Sequence, residues 1–340
     1  MKISGMIKPM ARSLPHRVFL LVIDQLAGHW VEGVKVYENF PPANIAGYHQ
    51  LGLIPNFSAL IRDGLWIKSA WNRAECETPH GMKYLASGCY NRGNYWITNY
   101  KGRGNYYQEA GDQSLFEVAK NFYKERIKVA VFTTDYWIAK GYFYVDQDMH
   151  ALSGSYPDEL MWRDFALPWL KRNPDWDLVH MYFPVNDAVS FCPSYSPRNP
   201  HPKSSKHAYL LYLDQLVGEI AEFLKYKQYW EETYLIIASD HGYHLGCSTA
   251  HQVGATTINL CCDHPAPHDC VIWDFSKNER TSTYSGCSRR IAFIVSGGAL
   301  NGGKRGKVIE EAEIIDVAPT IADILQLDYS CEGKSVLRRV

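Results

Sequence analysis

Asp24 closes the apolar run RVFLLVI, Asp240 and His241 close YLIIAS, and Asp187 follows a third run, Asp177 to Phe183. Carboxylates are hard ligands and imidazole a borderline one, so the set suits a divalent cation. The triplet Asp240-His241-Gly242 puts an acid and an imidazole side by side, and its glycine permits the tight turn by which a chain leaves a strand. Thr78 opens the stretch TPHGMKYL. A threonine hydroxyl becomes a useful nucleophile only beside a metal or a base, and a helix start adds N–H groups that face an anion. Taken alone, Thr78 reads as a helix cap; beside the acids it reads as the attacking group.

These residues need a frame that brings strand ends together. Arg17 to Asp24 is a continuous apolar run, the pattern of a strand buried on both faces of a parallel sheet. Lys128 to Thr133, Asp177 to Phe183, Tyr234 to Ser239 and Ile291 to Ser296 repeat the signal. Between them, Ile54 to Asp63, the stretch from Thr78 to Leu85, Ser114 to Tyr123, Tyr209 to Tyr226 and Asp316 to Leu325 carry helical spacing. Pro55 stands at a tolerated early position, Gly64 and Gly88 act as stops, and Ser114 is the expected cap of its helix. This alternation predicts an α/β fold with a mostly parallel central sheet and helices on both faces, whose ligands bind beyond the carboxyl ends of the strands. Tyr142 to Pro168 and Cys247 to Arg290 lack clear periodicity and read as long insertions near that active face. The expected organisation is an extension over 1–16 and one domain over 17–340, with insertions at about 142–168 and 247–290.

Composition narrows the function classes. At 340 residues the chain exceeds the roughly 250 to 300 at which single cores usually stop growing, so one large domain with insertions is favoured over two small ones. Hydrophobic residues at 46% supply a core, and a net charge of −1 gives no overall field for a polyanion, so no nucleic-acid partner is expected. The first sixteen residues contain no apolar run long enough for a signal peptide or a membrane span, which makes a cytoplasmic setting the expectation. Nine cysteines, five of them between Cys247 and Cys287, do not form an evenly spaced disulfide framework, and free thiols are expected. Cys247, Cys261, Cys262 and Cys270 also leave room for a separate structural zinc, although no Cys-x-x-Cys pair supports it.

In order along the chain, VFLLVIDQLAG, TPHGMKYLASGCY, SDHG, IAFIVSGG and IIDVAPTIADIL resemble the alkaline phosphatase superfamily. That superfamily includes nucleotide pyrophosphatase/phosphodiesterases, sulfatases, cofactor-independent phosphoglycerate mutases and phosphoethanolamine transferases. The likeness spans Arg17 to Leu327 and implies a metal-dependent phosphoric ester hydrolase of the phosphodiesterase or nucleotide pyrophosphatase type. It further implies Thr78 as nucleophile, a phosphothreonine intermediate, and a phosphorylated small molecule, a nucleotide among the candidates, as substrate. Sulfatases carry a cysteine or serine at this position within a Cys/Ser-x-Pro-x-Arg pattern, and Thr78-Pro79-His80-Gly81-Met82 departs from it, so phosphoryl transfer is favoured over sulfuryl transfer. Asn99 lies at the separation from Thr78 where the pyrophosphatase branch has an asparagine that donates to a phosphate oxygen, with Asn91 and Asn94 as rivals.

The resemblance implies one or two divalent ions, zinc before manganese. Asp24, Thr78, Asp240 and His241 would hold the first, and Asp187 and His251 the second. Two-ion members carry Asp-x-x-x-His after the fourth strand, whereas Asp187 is followed four positions later by Phe191. Either His201 or His207 replaces the missing ligand, or a single ion is held. His264 and His268 stand behind His251 as candidates. Lys83 and His80 are expected on the phosphate side, and Arg289 and Arg290 as phosphate binders or surface residues, while His49, His180 and His244 read as ordinary polar or core histidines. A phosphoryl or phosphoalcohol transferase and a sulfatase-like hydrolase are the rival activities, and a pseudoenzyme that only binds a phosphorylated ligand or a protein is the rival of another class.

Overall fold

The computed structural model describes residues 14–32, 41–91, 96–97, 106–107, 114–133, 149–151, 157–189, 205–243, 269, 271–274, 277 and 279–340. Nine strands form one sheet: β1 (Arg17–Ile23), β2 (Leu65–Trp71), β3 (Val129–Thr133), β4 (Met149–Ala151), β5 (Leu178–Phe183), β6 (Thr233–Ala238), β7 (Arg290–Ile291), β8 (Phe293–Ser296) and β9 (Lys307–Glu313). Their order is β7-β2-β8-β6-β1-β5-β3-β4, with β9 paired to β2. Every residue of β1, β5 and β6 is buried, as a strand covered on both faces must be. The five strands β6-β1-β5-β3-β4 run parallel.

Register places the site. Val22 of β1 pairs with Ala238 of β6, and Ile23 pairs with Phe183 of β5, so the three strands end level. The Asp24 amide donates to the Phe183 carbonyl at 2.9 Å, extending that pairing to the first residue past the strand.

Alternate residues of β1 face two cores. Val18, Leu20 and Val22 pack with the buried sides of α2 (Thr78–Ser87), α3 (Leu115–Tyr123) and α5 (Val317–Ile324). Phe19, Leu21 and Ile23 pack with α1 (Pro55–Asp63), α4 (Ser205–Tyr226) and the helical stretch 158–172. The expected three-layer α/β arrangement is therefore present. Ser114 caps α3, its hydroxyl accepting the Glu117 amide at 3.2 Å.

The apolar run Ile291 to Ser296 is two short strands rather than one. Between them Ala292 donates to the Leu26 carbonyl at 3.2 Å and to Ser239 Oγ at 2.8 Å, which takes it out of the ladder. Strand β8 then runs antiparallel between β6 and β2. Strands β2 and β9 were not marked by an apolar run, because they mix exposed charged residues with buried ones, β9 forming the edge beyond β2. The stretch 158–172 falls largely inside a supposed insertion yet buries Met161, Trp162, Ala166, Trp169 and Leu170 in the core. Its turn over Met161–Ala166 is a π-helix, so its apolar residues do not keep the 3.6-residue period by which helices are recognised.

No disulfide joins the described cysteines, Cys76, Cys89, Cys287 and Cys331. The segment expected to offer a structural zinc, Cys247 to Cys270, lies outside the described residues. No described helix is long and apolar enough to cross a membrane.

Candidate metal centre

Asp24 leaves β1 and Asp240 leaves β6 one position past Ser239, so level strand ends set the two carboxylates next to each other. His241 follows at once, and its Nε2 lies 3.2 Å from Asp24 Oδ1 and 3.4 Å from Asp240 Oδ2. The three residues offer ligand atoms that all lie within 4.8 Å of one another. Asp24 is 3% exposed and the other two are fully buried.

Neighbouring groups fix each member. His241 Nδ1 is 2.9 Å from the Gly242 carbonyl, which keeps a proton on that nitrogen and turns Nε2 toward the acids. Asp240 Oδ1 accepts the amides of Gln25 at 3.1 Å and His241 at 2.9 Å. The Tyr182 hydroxyl, on β5, donates to Asp24 Oδ2. Asn186 Nδ2 donates to the Asp24 carbonyl at 2.7 Å, and Asn72 Nδ2 to the Asp240 carbonyl at 3.0 Å. Gln25 adopts φ 57°, a strained backbone for a non-glycine residue, and its side chain donates to Asp187 Oδ1.

After this satisfaction, Asp24 Oδ1 and Asp240 Oδ2 remain buried with no hydrogen-bond donor. Burial, with the adjacent Asp240 charge, pushes the Asp24 carboxyl up to about 6, and burial raises Asp240 as well. Burial opposes a charged His241, but Asp240 and Asp24 outweigh it and push its pKa up to about 10. Two carboxylates around one imidazole nitrogen thus retain a proton where a cation would sit. The donor set, two oxygens without partners and one oriented nitrogen, fits a divalent ion.

Thr78 is the first residue of α2, with Glu77 in the cap position and Pro79 following. Its hydroxyl does not cap the helix; Oγ1 lies 3.2 Å from His241 Nε2 and 3.5 Å from Asp24 Oδ2. It is half-buried, so the nucleophile candidate stands at the mouth of a buried cluster. Gly81 explains how α2 comes so close: a Cβ there would meet the Asp240 carbonyl oxygen at 2.5 Å and its Cβ at 2.6 Å. Gly88 ends the helix at φ 67°, the left-handed cap its position predicts.

The other expected residues fall elsewhere. Asp187 lies on the short helix Val185–Ala188, half-buried, and joins the centre through Gln25 rather than as one of the clustered ligands. His207 Nδ1 is 2.8 Å from the Tyr48 hydroxyl, and the residue is not one of the clustered ligands. Lys83 lies with its ammonium 5.8 Å from the Tyr84 ring centroid, and His80 Nδ1 is 3.9 Å from Glu77 Oε2. His180 is a core residue packed on Phe116, its pKa lowered to about 3 by burial, and His49 bonds Ser58 at 2.8 Å. Asn99, Phe191, His201, His244, His251, His264 and His268, with Asn94, lie outside the described residues.

A sequence model of the sulfatase family matches residues 71–327. No curated protein matches the chain. Among solved structures, the lipoteichoic acid synthase LtaP from Listeria monocytogenes superposes with a TM-score of 0.59 at 14% identity, over 95% of this chain and 74% of that one. The murine ectonucleotide pyrophosphatase/phosphodiesterase 5 gives 0.58 at 12% identity, over 96% and 98%. A form of that murine protein inactivated by replacing a threonine with alanine is known in complex with AMP. The phosphonate monoester hydrolase of Agrobacterium radiobacter gives 0.54 at 14% identity, over 95% and 76%. At these identities the likeness is one of fold.

Proposed function

Because the chain belongs to the sulfatase family, within the alkaline phosphatase superfamily, we propose that it is a metal-dependent hydrolase of phosphate esters in which Thr78 attacks phosphorus. The observation that carries this reading is the contact of the Thr78 hydroxyl with both His241 and Asp24. Threonine cannot become the oxidised cysteine or serine that sulfatases use, which favours phosphorus over sulfur as the centre attacked. The murine fold neighbour, inactive when a threonine becomes alanine and able to hold AMP, supports the same choice.

Asp24, Asp240 and His241 would hold the ion, zinc before manganese. A bound divalent cation supplies positive charge that lowers the pKa of the attacking hydroxyl and offsets charge gathering on phosphoryl oxygens. Asp24 Oδ2, 3.5 Å from Thr78 Oγ1, is placed to take the hydroxyl proton. The Oγ1–P bond forms as the bond from phosphorus to the ester oxygen breaks, the departing alkoxide gains a proton from solvent, and water then cleaves the phosphothreonine. Tyr182 keeps Asp24 oriented, since burial and the Asp24 charge hold its hydroxyl protonated. The first turn of α2 leaves N–H groups without helical acceptors, ready for a phosphoryl oxygen. Asn99 and Lys83 are assigned to the substrate side, and Asp187 with His251 to a second ion. A nucleotide or another phosphodiester is the proposed substrate class.

The test is Thr78→Ala assayed on a chromogenic phosphodiester, a phosphomonoester and a sulfate ester side by side. The wild type should favour a phosphate ester, and the variant should lose on the order of 10³-fold in its turnover. Undiminished turnover refutes the nucleophile, and a wild-type preference for the sulfate ester refutes the substrate class. Adding an alcohol acceptor separates hydrolysis from transfer, since a transferase yields the new ester instead of free phosphate.

A further inference from the structure

Beyond the end of β2 lies a second cavity of about 380 Å³, lined by His29, Trp30, Val31, Leu51, Trp71 and Arg290 among others. Its charge arrangement is unusual. Arg290 stacks over Trp71, with its guanidinium carbon 4.7 Å from the ring centroid, and reaches Trp30 at 5.9 Å. One arm donates to the Ser285 carbonyl, and Nη1 lies 2.6 Å from His29 Nδ1. His29 Nε2 is 2.8 Å from the Ala70 carbonyl. With a proton on Nε2 donated to Ala70, Nδ1 is left as an acceptor for Arg290, so this histidine is neutral; burial, reinforced by the Arg290 charge, lowers its pKa to about 3.

Among the described residues no carboxylate lies within ion-pair distance of Arg290: Asp269, which accepts the Gly286 amide at 2.8 Å, attracts the guanidinium from farther off, and Glu310 pairs with Lys68 at 3.7 Å. The indole N–H groups of Trp30 and Trp71 are both buried and have no acceptor. A half-buried guanidinium with Nη2 unspent thus lines the cavity, and two unmatched indole donors lie buried in its walls, donors that burial makes costly unless an acceptor meets them. Trp30, Trp71 and Leu51 give the cavity apolar walls, and Glu32, Lys68 and Glu310 stand among them.

We propose that this cavity is a second ligand site, which takes the anionic end group of a small organic molecule, a carboxylate, sulfate or phosphate, with its apolar part laid against Trp30 and Trp71. The site adjoins the metal centre through the β2 end, where Asn72, next to Trp71, bonds the Asp240 carbonyl. It needs no metal, and so it stands or falls separately from the hydrolase reading.

The test is calorimetric titration of the full chain, stripped of metal by chelation, with benzoate, phenylphosphonate and uncharged benzyl alcohol. Both acids should bind at one site per chain, at least about tenfold more tightly than the alcohol. Arg290→Gln should weaken the acids by about tenfold or more, Trp30→Phe, which keeps the ring and removes the donor, by several-fold, and Asp240→Asn should change nothing. Equal binding of acids and alcohol by the wild type overturns the proposal, as does undiminished acid binding in Trp30→Phe or Arg290→Gln, or loss in Asp240→Asn. If circular dichroism shows Arg290→Gln unfolded, the acid-to-alcohol ratio and Trp30→Phe decide the matter.

Discussion

At the carboxyl ends of β1 and β6, two carboxylates share a buried corner with one imidazole, and two of their oxygens find no donor. Past the end of β2, a guanidinium shares a cavity with two indoles whose N–H groups find no acceptor. Each region has left one sign of charge or one kind of hydrogen-bonding group in excess, and each excess names the partner that would relieve it: a cation in the first, an anion in the second. The frames differ as well. Fully buried parallel strands set the acids by register, whereas the cavity is assembled from a loop after β1, the partly exposed strand β2 and the short strand β7. Rigid strand ends suit chemistry that depends on sub-ångström placement, and such a cavity suits recognition.

The largest effect that separates the two regions comes from Asp240→Asn. It should abolish metal binding and lower phosphodiester turnover on the order of 10³-fold, while benzoate binding to the Arg290 cavity stays as it was. Metal analysis, turnover and calorimetry read all three, and a joint loss would merge the regions into one site. Next comes Gly81→Ala. A methyl group there has no room against Asp240, so α2 must shift and move Thr78, and turnover should drop by about 10²-fold with the melting temperature lowered as well. A variant with full turnover would show that the close approach of α2 is not needed.

The smallest effect is graded with pH. In the metal-free chain His241 keeps its proton up to about 10 and Asp24 up to about 6, and an entering cation must displace what is bound. Zinc affinity should therefore rise with pH by about tenfold per unit between about 6 and 10, and more steeply below about 6, where a second proton must leave. Anion binding at the Arg290 cavity should stay flat from pH 6 to about 8, because His29 is already neutral there and Arg290 titrates only near about 10. Calorimetry across that range checks both slopes; a flat metal curve would contradict the proton held by the acids.

Much of the first region was legible in the sequence. Asp24, Asp240 and His241 each end an apolar run and Thr78 opens a helical one, so periodicity marked the positions and the superfamily resemblance singled out the set that the fold brings together. The groups that hold them were not legible. Tyr182 sits inside the apolar strand LVHMYF, and its pairing with Asp24 follows from the register of β1 on β5, which no local pattern states. Gln25 and Asn186 act through backbone geometry at strand ends. His207 has a partner that no local pattern states: its Nδ1 meets the Tyr48 hydroxyl, which comes from a distant segment. The π-helix hid the stretch 158–172, and the mixed charge of β2 and β9 hid the sheet edge. The cavity was nearly invisible for a further reason. Arg290 was visible as a basic residue before a strand, either a phosphate binder or a surface residue, and its stacking between indoles and its contact with His29 are revealed only by the fold.

The central claim is that acids from two strand ends and one histidine hold a cation against Thr78. Anomalous diffraction at the zinc edge, from crystals of the zinc-loaded protein, tests it directly. The account predicts a peak about 2.0 to 2.2 Å from a carboxylate oxygen of Asp24, from one of Asp240 and from His241 Nε2, with Thr78 Oγ1 beside it. Zinc bound elsewhere, with those three side chains still closed on one another, would contradict it.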